Sequence, residues 1–123
     1  MTRTPSLLAH FITNRAGDPV SEDDEGVAHY SIRLSVVDVP PDAYAVTYTL
    51  HESYYDPVRE SRAKNRDFVE EITSYGDYTV RAEVRTKTRT IPVSTKLSAA
   101  LARGHGPNIT ATIRNALNDI RAN

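Results

Sequence analysis

The sequence contains no cysteine and no tryptophan, and only 5 of its 123 residues are glycine. Without cysteine the chain has no disulfide, no thiol nucleophile and no cysteine-based zinc site. So few glycines argue against a glycine-rich phosphate-binding loop. Neither sign of charge dominates, since 15 Lys and Arg oppose 16 Asp and Glu, which argues against a nucleic-acid partner. The N-terminal segment 1–14 has no apolar run long enough for a signal peptide or a membrane span. We therefore expect a cytoplasmic protein without a membrane partner.

Residues that favour β-strands are abundant, because Val, Ile and Thr make up 31 of the 123 positions. The length predicts a single domain over residues 1–123. Three segments, 30–36, 46–51 and 78–85, alternate between apolar and polar residues, as half-buried strands do. The pattern predicts an all-β, antiparallel sandwich. Six alternating residues are predicted to lie in its core: Ile32, Leu34, Tyr48, Leu50, Val80 and Val84.

Weaker patterns surround these strands. We predict further strands at 7–13, 68–73 and 90–95, and Pro92 places the last of them at a sheet edge. An acidic stretch at 15–26 and a basic stretch at 59–66 are predicted to be loops. The segment 97–103 fits either a final strand or a short helix.

The last part of the chain changes its period. From Ile109 to Ile120 apolar residues recur every three or four positions, which predicts an amphipathic helix with Asn108 as its N-cap. We assign residues 103–123 to a C-terminal helical extension. Its apolar face either closes the sandwich or docks on another subunit or domain, and the sequence leaves the oligomeric state open.

One short segment carries residues with chemical potential. His51 and Ser53 are two positions apart, so in an extended segment both side chains point the same way. This pair fits a serine nucleophile with its histidine base, for which Asp56 or Asp77 would be the orienting acid. The four histidines are scattered without metal-ligand spacing, and no cofactor is predicted.

The same segment also fits a binding slot. Tyr54 follows Ser53, and a second loop, Ser74-Tyr75-Gly76, precedes the third main strand. Loops at the end of a sandwich commonly form its binding site. Two tyrosine rings with a hydroxyl between them suit a flat, neutral amide. In the alternative interpretation both tyrosines pack at the rim and bind nothing.

At these residues the chain resembles the YEATS domain, more closely its prokaryotic branch. The resemblance rests on the segment 46–54, which ends in His-Glu-Ser-Tyr, together with the Ser-Tyr-Gly-Asp-Tyr loop at 74–78, and it covers about residues 28–101. It implies an immunoglobulin-like sandwich and a non-catalytic reader of acylated lysine. In the prokaryotic branch such domains resemble sensor or adaptor parts of signalling and defence systems, so a protein partner is implied as well.

The resemblance also implies roles for the predicted site residues. Tyr54 and Tyr75 would sandwich the acyl-amide, Ser53 would bond to it with support from His51, and the Tyr75 N–H would donate to the acyl carbonyl. Ser74 and Gly76 complete the loop. We expect the Ser53 hydroxyl and the Tyr75 N–H to act as donors to a carbonyl, which favours an acyl-amide over a free ammonium.

Two positions depart from the family pattern. An aromatic residue of the family is replaced here by Gly26 or Val27, which opens one side of the slot. Asp77 replaces a small neutral residue and brings a charge near its mouth. The alternative function is a protein-interaction adaptor that keeps the sandwich and lacks a working slot. An open groove between Tyr54 and Tyr75 favours the reader, whereas a ring covered by the basic loop favours the adaptor.

Overall fold

The structure is a computed structural model that describes residues 4–123. Within these residues the chain forms eight β-strands followed by two α-helices. The strands are β1 (Ser6–Phe11), β2 (Ser21–Asp24), β3 (Val27–Val37), β4 (Ala45–Thr49), β5 (Val58–Ser61), β6 (Glu70–Ser74), β7 (Thr79–Arg85) and β8 (Thr90–Lys96). The helices are α1 (Leu97–His105) and α2 (Ala111–Ala122).

The strands form two antiparallel four-stranded sheets, so the predicted all-β sandwich is confirmed. In the first sheet the long strand β3 pairs with β1, β2 and β6. The second sheet has the order β5-β4-β7-β8. The strand that contains Pro92 lies at the edge of this sheet, as predicted, where a missing N–H interrupts no central ladder.

The core is built from the predicted alternating residues. All six predicted core residues are buried, and they belong to one apolar cluster that contains side chains of both sheets. The fully buried Tyr48 keeps its hydroxyl paired, because it donates to the Phe68 carbonyl at 2.6 Å. The period-two pattern therefore located the buried faces correctly, since successive side chains of a strand point to opposite sides.

Two strands lie where the sequence predicts loops. β2 lies within the predicted acidic loop 15–26, and all four of its residues are exposed, so it shows no alternation. It pairs with β3 across a turn at Glu25 and Gly26, whose φ angles of 53° and 83° suit a two-residue hairpin. β5 overlaps the start of the predicted basic loop 59–66 and lies at the edge of the second sheet.

The helices settle two further expectations. The segment 97–103 is helical, within α1. The prediction that Asn108 is the N-cap is wrong. The helix α2 begins after Thr110, and the side-chain oxygen of Thr110 accepts the Ile113 N–H at 3.3 Å. An N-cap side chain must reach the N–H two or three positions ahead, and Thr110 does so.

Both helices pack on the sandwich. α1 runs so close to β1 that a Cβ on Gly104 would lie 2.1 Å from the Ala9 carbonyl oxygen, so glycine is required there. The apolar face of α2, with Ile113, Leu117 and Ile120, belongs to the same buried cluster as the sheets. This face is covered within the chain, as the closing alternative predicts. Between residues 4 and 123, neither helix has the length and apolar character that crossing a membrane requires.

Candidate functional site

Two loops, the one that follows β4 and the one that precedes β7, meet beside the end of β4. At Thr49 this strand pairs with Arg81, near the start of β7. The segment 74–78 connects β6 in the first sheet to β7 in the second, so it passes close to residues 50–54. The six predicted site residues all line one open cavity there: His51, Ser53, Tyr54, Ser74, Tyr75 and Gly76. The cavity volume of about 340 Å³ lies in the range of small-ligand pockets.

His51 and Ser53 form a hydrogen-bonded pair. The Nδ1 atom of His51 lies 2.8 Å from Ser53 Oγ, and the Ser53 backbone N–H donates to the same nitrogen at 3.1 Å. Nδ1 therefore carries a lone pair, and the imidazole proton is assigned to Nε2. The Ser53 hydroxyl then donates its hydrogen to Nδ1 and offers lone pairs to a ligand. Because its hydrogen is directed to His51, the Ser53 hydroxyl can only accept a hydrogen bond from a further group. From the sequence we expected it to donate to the carbonyl of a ligand.

Tyr54 connects the two loops. Its hydroxyl donates to the Thr73 carbonyl at 2.6 Å and lies 3.1 Å from the Tyr78 hydroxyl, which donates to it. Burial raises the pKa of Tyr78, the hydrogen bond to Tyr54 raises it further, and nearby Arg59 opposes this. Tyr78 therefore remains a protonated donor. The centres of the Tyr54 and Tyr78 rings lie 5.8 Å apart. The Arg59 guanidinium lies over the Tyr54 ring, also 5.8 Å from its centre.

The hydrogen bond of Tyr54 belongs to a series along the free edge of β6. Alternate carbonyls of residues 69–73 accept side-chain hydrogen bonds from the segment 54–61 instead of pairing with another strand. The three bonds run from Tyr54 to Thr73, from Arg59 to Glu71 at 3.1 Å, and from Ser61 to Val69 at 3.0 Å. Side chains that follow β4 therefore protect the sheet edge and fix the position of Tyr54.

The second loop is held by its own serine. The buried Ser74 hydroxyl donates to the Gly76 carbonyl at 2.8 Å and accepts the Gly76 N–H at 3.3 Å. Between them Tyr75 is 52% exposed, and its ring contacts the His29 ring at 5.1 Å. Neither Gly26 nor Val27 lines the cavity, whereas His29, two positions after Val27 on β3, does and gives Tyr75 an aromatic neighbour. The cavity borders both Tyr54 and Tyr75, and each ring has its own aromatic partner.

Asp77 lines the cavity, and its charge is used within the fold. Its carboxylate accepts the Ser98 N–H at 2.9 Å and the Ser98 hydroxyl at 2.7 Å, in the first turn of α1. A carboxylate at a helix N-terminus is stabilised by the unpaired N–H groups there. Asp77 therefore holds α1 against the loop, and its carboxylate faces Ser98, not His51.

Six further residues line this cavity outside the predicted site, among them Tyr78, His29 and Asn123. Tyr78 was assigned to the inward face of a strand, His29 was not placed in the slot, and Asn123 lies far along the chain. The alternation that includes Tyr78 was visible, but no local pattern connects His29 or Asn123 to the loop. Among residues 4–123, no three His, Asp or Glu side chains are grouped to hold a metal ion.

Comparisons with known proteins identify a matching family model and a solved structure with a similar fold. The family model of the prokaryotic YEATS domain matches residues 30–98, more than half of the chain. Among solved structures, the chain is similar to one described as the Yaf9 YEATS domain recognising a succinyl-lysine peptide. The TM-score is 0.52 and the identity 16%, over 74% of this chain and 67% of that chain. At this identity the likeness shows the fold. No curated protein matches the chain significantly in sequence.

Proposed function

The chain belongs to the prokaryotic YEATS domain family, and from this premise we propose that its cavity binds the acyl-amide of an acylated lysine or a similar flat ligand. The observation that carries the proposal is the meeting of six residues, predicted from two separate motifs, around one open cavity. The Yaf9 structure, which is described as recognising a succinyl-lysine peptide, supports the same ligand class. The protein would act as a non-catalytic reader in a cytoplasmic signalling or defence system of a bacterium, together with a protein partner.

The polar groups of the site suit both ends of an amide. A secondary amide has one N–H donor and one carbonyl acceptor. Ser53 Oγ, whose hydrogen is directed to His51, would accept the N–H, and the Tyr75 N–H would donate to the carbonyl. A lysine ammonium has donors alone, so it would leave the Tyr75 N–H unpaired, at a cost of roughly 1–3 kcal/mol. Ring contacts with Tyr54 and Tyr75 would add about 0.5–1.5 kcal/mol each.

A peptide titration tests the proposal. Peptides carrying acetyl-lysine, crotonyl-lysine and unmodified lysine are titrated calorimetrically into the wild type, Ser53→Ala, Tyr75→Ala and Tyr44→Ala. Tyr44 is an exposed tyrosine outside the cavity, so its variant is the matched control. We expect the acylated peptides to bind with micromolar to millimolar Kd, because a few such contacts must offset the ordering of a peptide. Ser53→Ala and Tyr75→Ala should each weaken binding by roughly two- to tenfold. Equal binding of all three peptides, or full binding by both slot variants, would contradict the proposal.

One observation favours the adaptor alternative. The Arg59 guanidinium covers part of the Tyr54 ring, and a covered ring is what an adaptor without a slot would show. Arg59→Ala separates the two functions. If the guanidinium blocks a slot, this variant should bind the acetyl-lysine peptide better than the wild type does. If neither protein binds any of the peptides, the adaptor is the better description.

A further inference from the structure

The end of α2 lies against the candidate site. Asn123 lines the cavity next to Tyr75 and Gly76. Gly76 is buried, and a Cβ built on it would lie 2.8 Å from the carbonyl oxygen of Asn123 and 2.9 Å from its carbonyl carbon. A Cβ atom, which cannot form a hydrogen bond, does not come this close to backbone atoms. The missing side chain of Gly76 is therefore what allows the helix end to touch the loop.

A second contact holds the same helix turn. The hydroxyl of Tyr30, on β3, donates to the Asp119 carboxylate. Burial raises the pKa of Tyr30 to about 12, and the hydrogen bond to Asp119 contributes, so the hydroxyl remains a donor. Tyr30 is also the register partner of Ser74, the first residue of the loop. Within the helix end, the Asn123 side chain donates to the Asp119 carbonyl at 2.8 Å. The last turn of α2 is therefore bonded to β3, at the residue that pairs with the first residue of the loop.

We propose that α2 is a positioning element of the ligand site: the Tyr30–Asp119 bond holds its last turn against Gly76, and this contact fixes the Ser74–Gly76 loop that carries the Tyr75 ring and N–H. The proposal rests on the proposed function. Residues 111–123 lie outside the segment 30–98 that matches the family model, so the match itself does not account for this wall of the cavity. Coupling of this kind is reciprocal, so a bound ligand also stabilises the docked helix end.

Single substitutions test the contact first. Tyr30→Phe and Asp119→Ala each remove the hydrogen bond, and Asp119 is exposed, so the second variant should fold. We expect each to weaken binding of the acetyl-lysine peptide by roughly three- to tenfold, the effect of losing about one hydrogen bond. Asn118→Ala, an exposed neighbour on the same turn, is the matched control and should bind like the wild type. Unchanged affinity in Tyr30→Phe and Asp119→Ala would overturn the proposal.

A double-mutant cycle tests whether the helix end and the loop act on each other. In Gly76→Ala the added methyl group pushes against Asn123, so we expect weaker binding. If the helix end causes this loss, the loss should shrink in the Gly76→Ala, Asp119→Ala double variant, where the helix end is already released. Additive losses would contradict a contact between the two elements.

Two measurements distinguish positioning from simple stabilisation. In the ligand-free protein, far below the unfolding temperature, Asp119→Ala should shift the NMR signals of the Gly76 amide and the Tyr75 ring, whereas Asn118→Ala should not. In the wild type, saturating acetyl-lysine peptide should slow amide hydrogen exchange in residues 119–122. If no peptide binds, the proposed function fails, and the ligand-free signals still decide the coupling. Unchanged Gly76 and Tyr75 signals in Asp119→Ala would overturn it.

Discussion

Replacing Tyr54 by phenylalanine removes one oxygen atom and keeps the ring. In the wild type this oxygen donates a hydrogen bond to the Thr73 carbonyl at 2.6 Å and accepts one from the Tyr78 hydroxyl at 3.1 Å. These two bonds join the loop after β4 to the last residues of β6 and to the segment before β7. Tyr54→Phe therefore separates the contribution of the link between the loops from the contribution of the aromatic ring.

The expected loss of stability follows from these two bonds. A hydrogen bond contributes roughly 0.5–1.5 kcal/mol net. Thr73 is exposed, so water can pair with its carbonyl in the variant, whereas the half-buried Tyr78 hydroxyl finds a new partner less easily. We expect a total loss of about 1–2 kcal/mol in the free energy of unfolding. For a domain of this size, 1 kcal/mol lowers the Tm by about 3–6 °C, so the Tm should fall by roughly 3–12 °C.

Thermal and urea unfolding, followed by circular dichroism, measure this loss. The matched control is Tyr55→Phe, because the adjacent Tyr55 side chain is 97% exposed, and we expect no measurable change in that variant. Tyr54→Phe should also bind the acetyl-lysine peptide more weakly than the wild type, because the loops are no longer joined. If both variants unfold at the wild-type temperature, the Tyr54 hydroxyl does not connect the loops.

Three further predictions concern the fold. Leu50 is 5% exposed, so Leu50→Ala should reduce the free energy of unfolding in urea by roughly 2–5 kcal/mol, and a loss of less than about 1 kcal/mol would contradict its place in the core. Thr110→Ala should cost about 1 kcal/mol in the same assay, whereas Asn108→Ala should be neutral; the opposite result would make Asn108 the N-cap. Burial, and secondly the neighbouring His10, lowers the pKa of His105, whose ordinary value is 6.5. The unfolded chain then binds a proton that the folded chain does not, so stability should fall as the pH drops below about 6.5. His105→Gln should remove this part of the pH dependence, and an unchanged slope would show that another group causes it.

The strands and the core could be predicted because their signal is local. Residues such as Ile32 and Val80 alternate with polar neighbours, and a strand turns successive side chains to opposite faces, so the pattern itself marks the buried face. The pattern failed at β2, where all residues are exposed and only main-chain pairing defines the strand. It also misplaced the start of α2, because Asn108 and Thr110 are both good N-cap residues and the choice depends on which side chain reaches Ile113.

The local residue pattern was enough to locate the three main strands, the six core residues and the two motifs of the candidate site. Which residues lie next to these elements depends on the tertiary structure. Asp77 meets Ser98 across 21 positions and Tyr30 meets Asp119 across 89, while His29 meets Tyr75 through the pairing of β3 with β6. Propensity and periodicity describe how a side chain is oriented on its own element. The distance between two elements is set by how the sheets and helices pack, and that packing brought the end of α2 to Gly76.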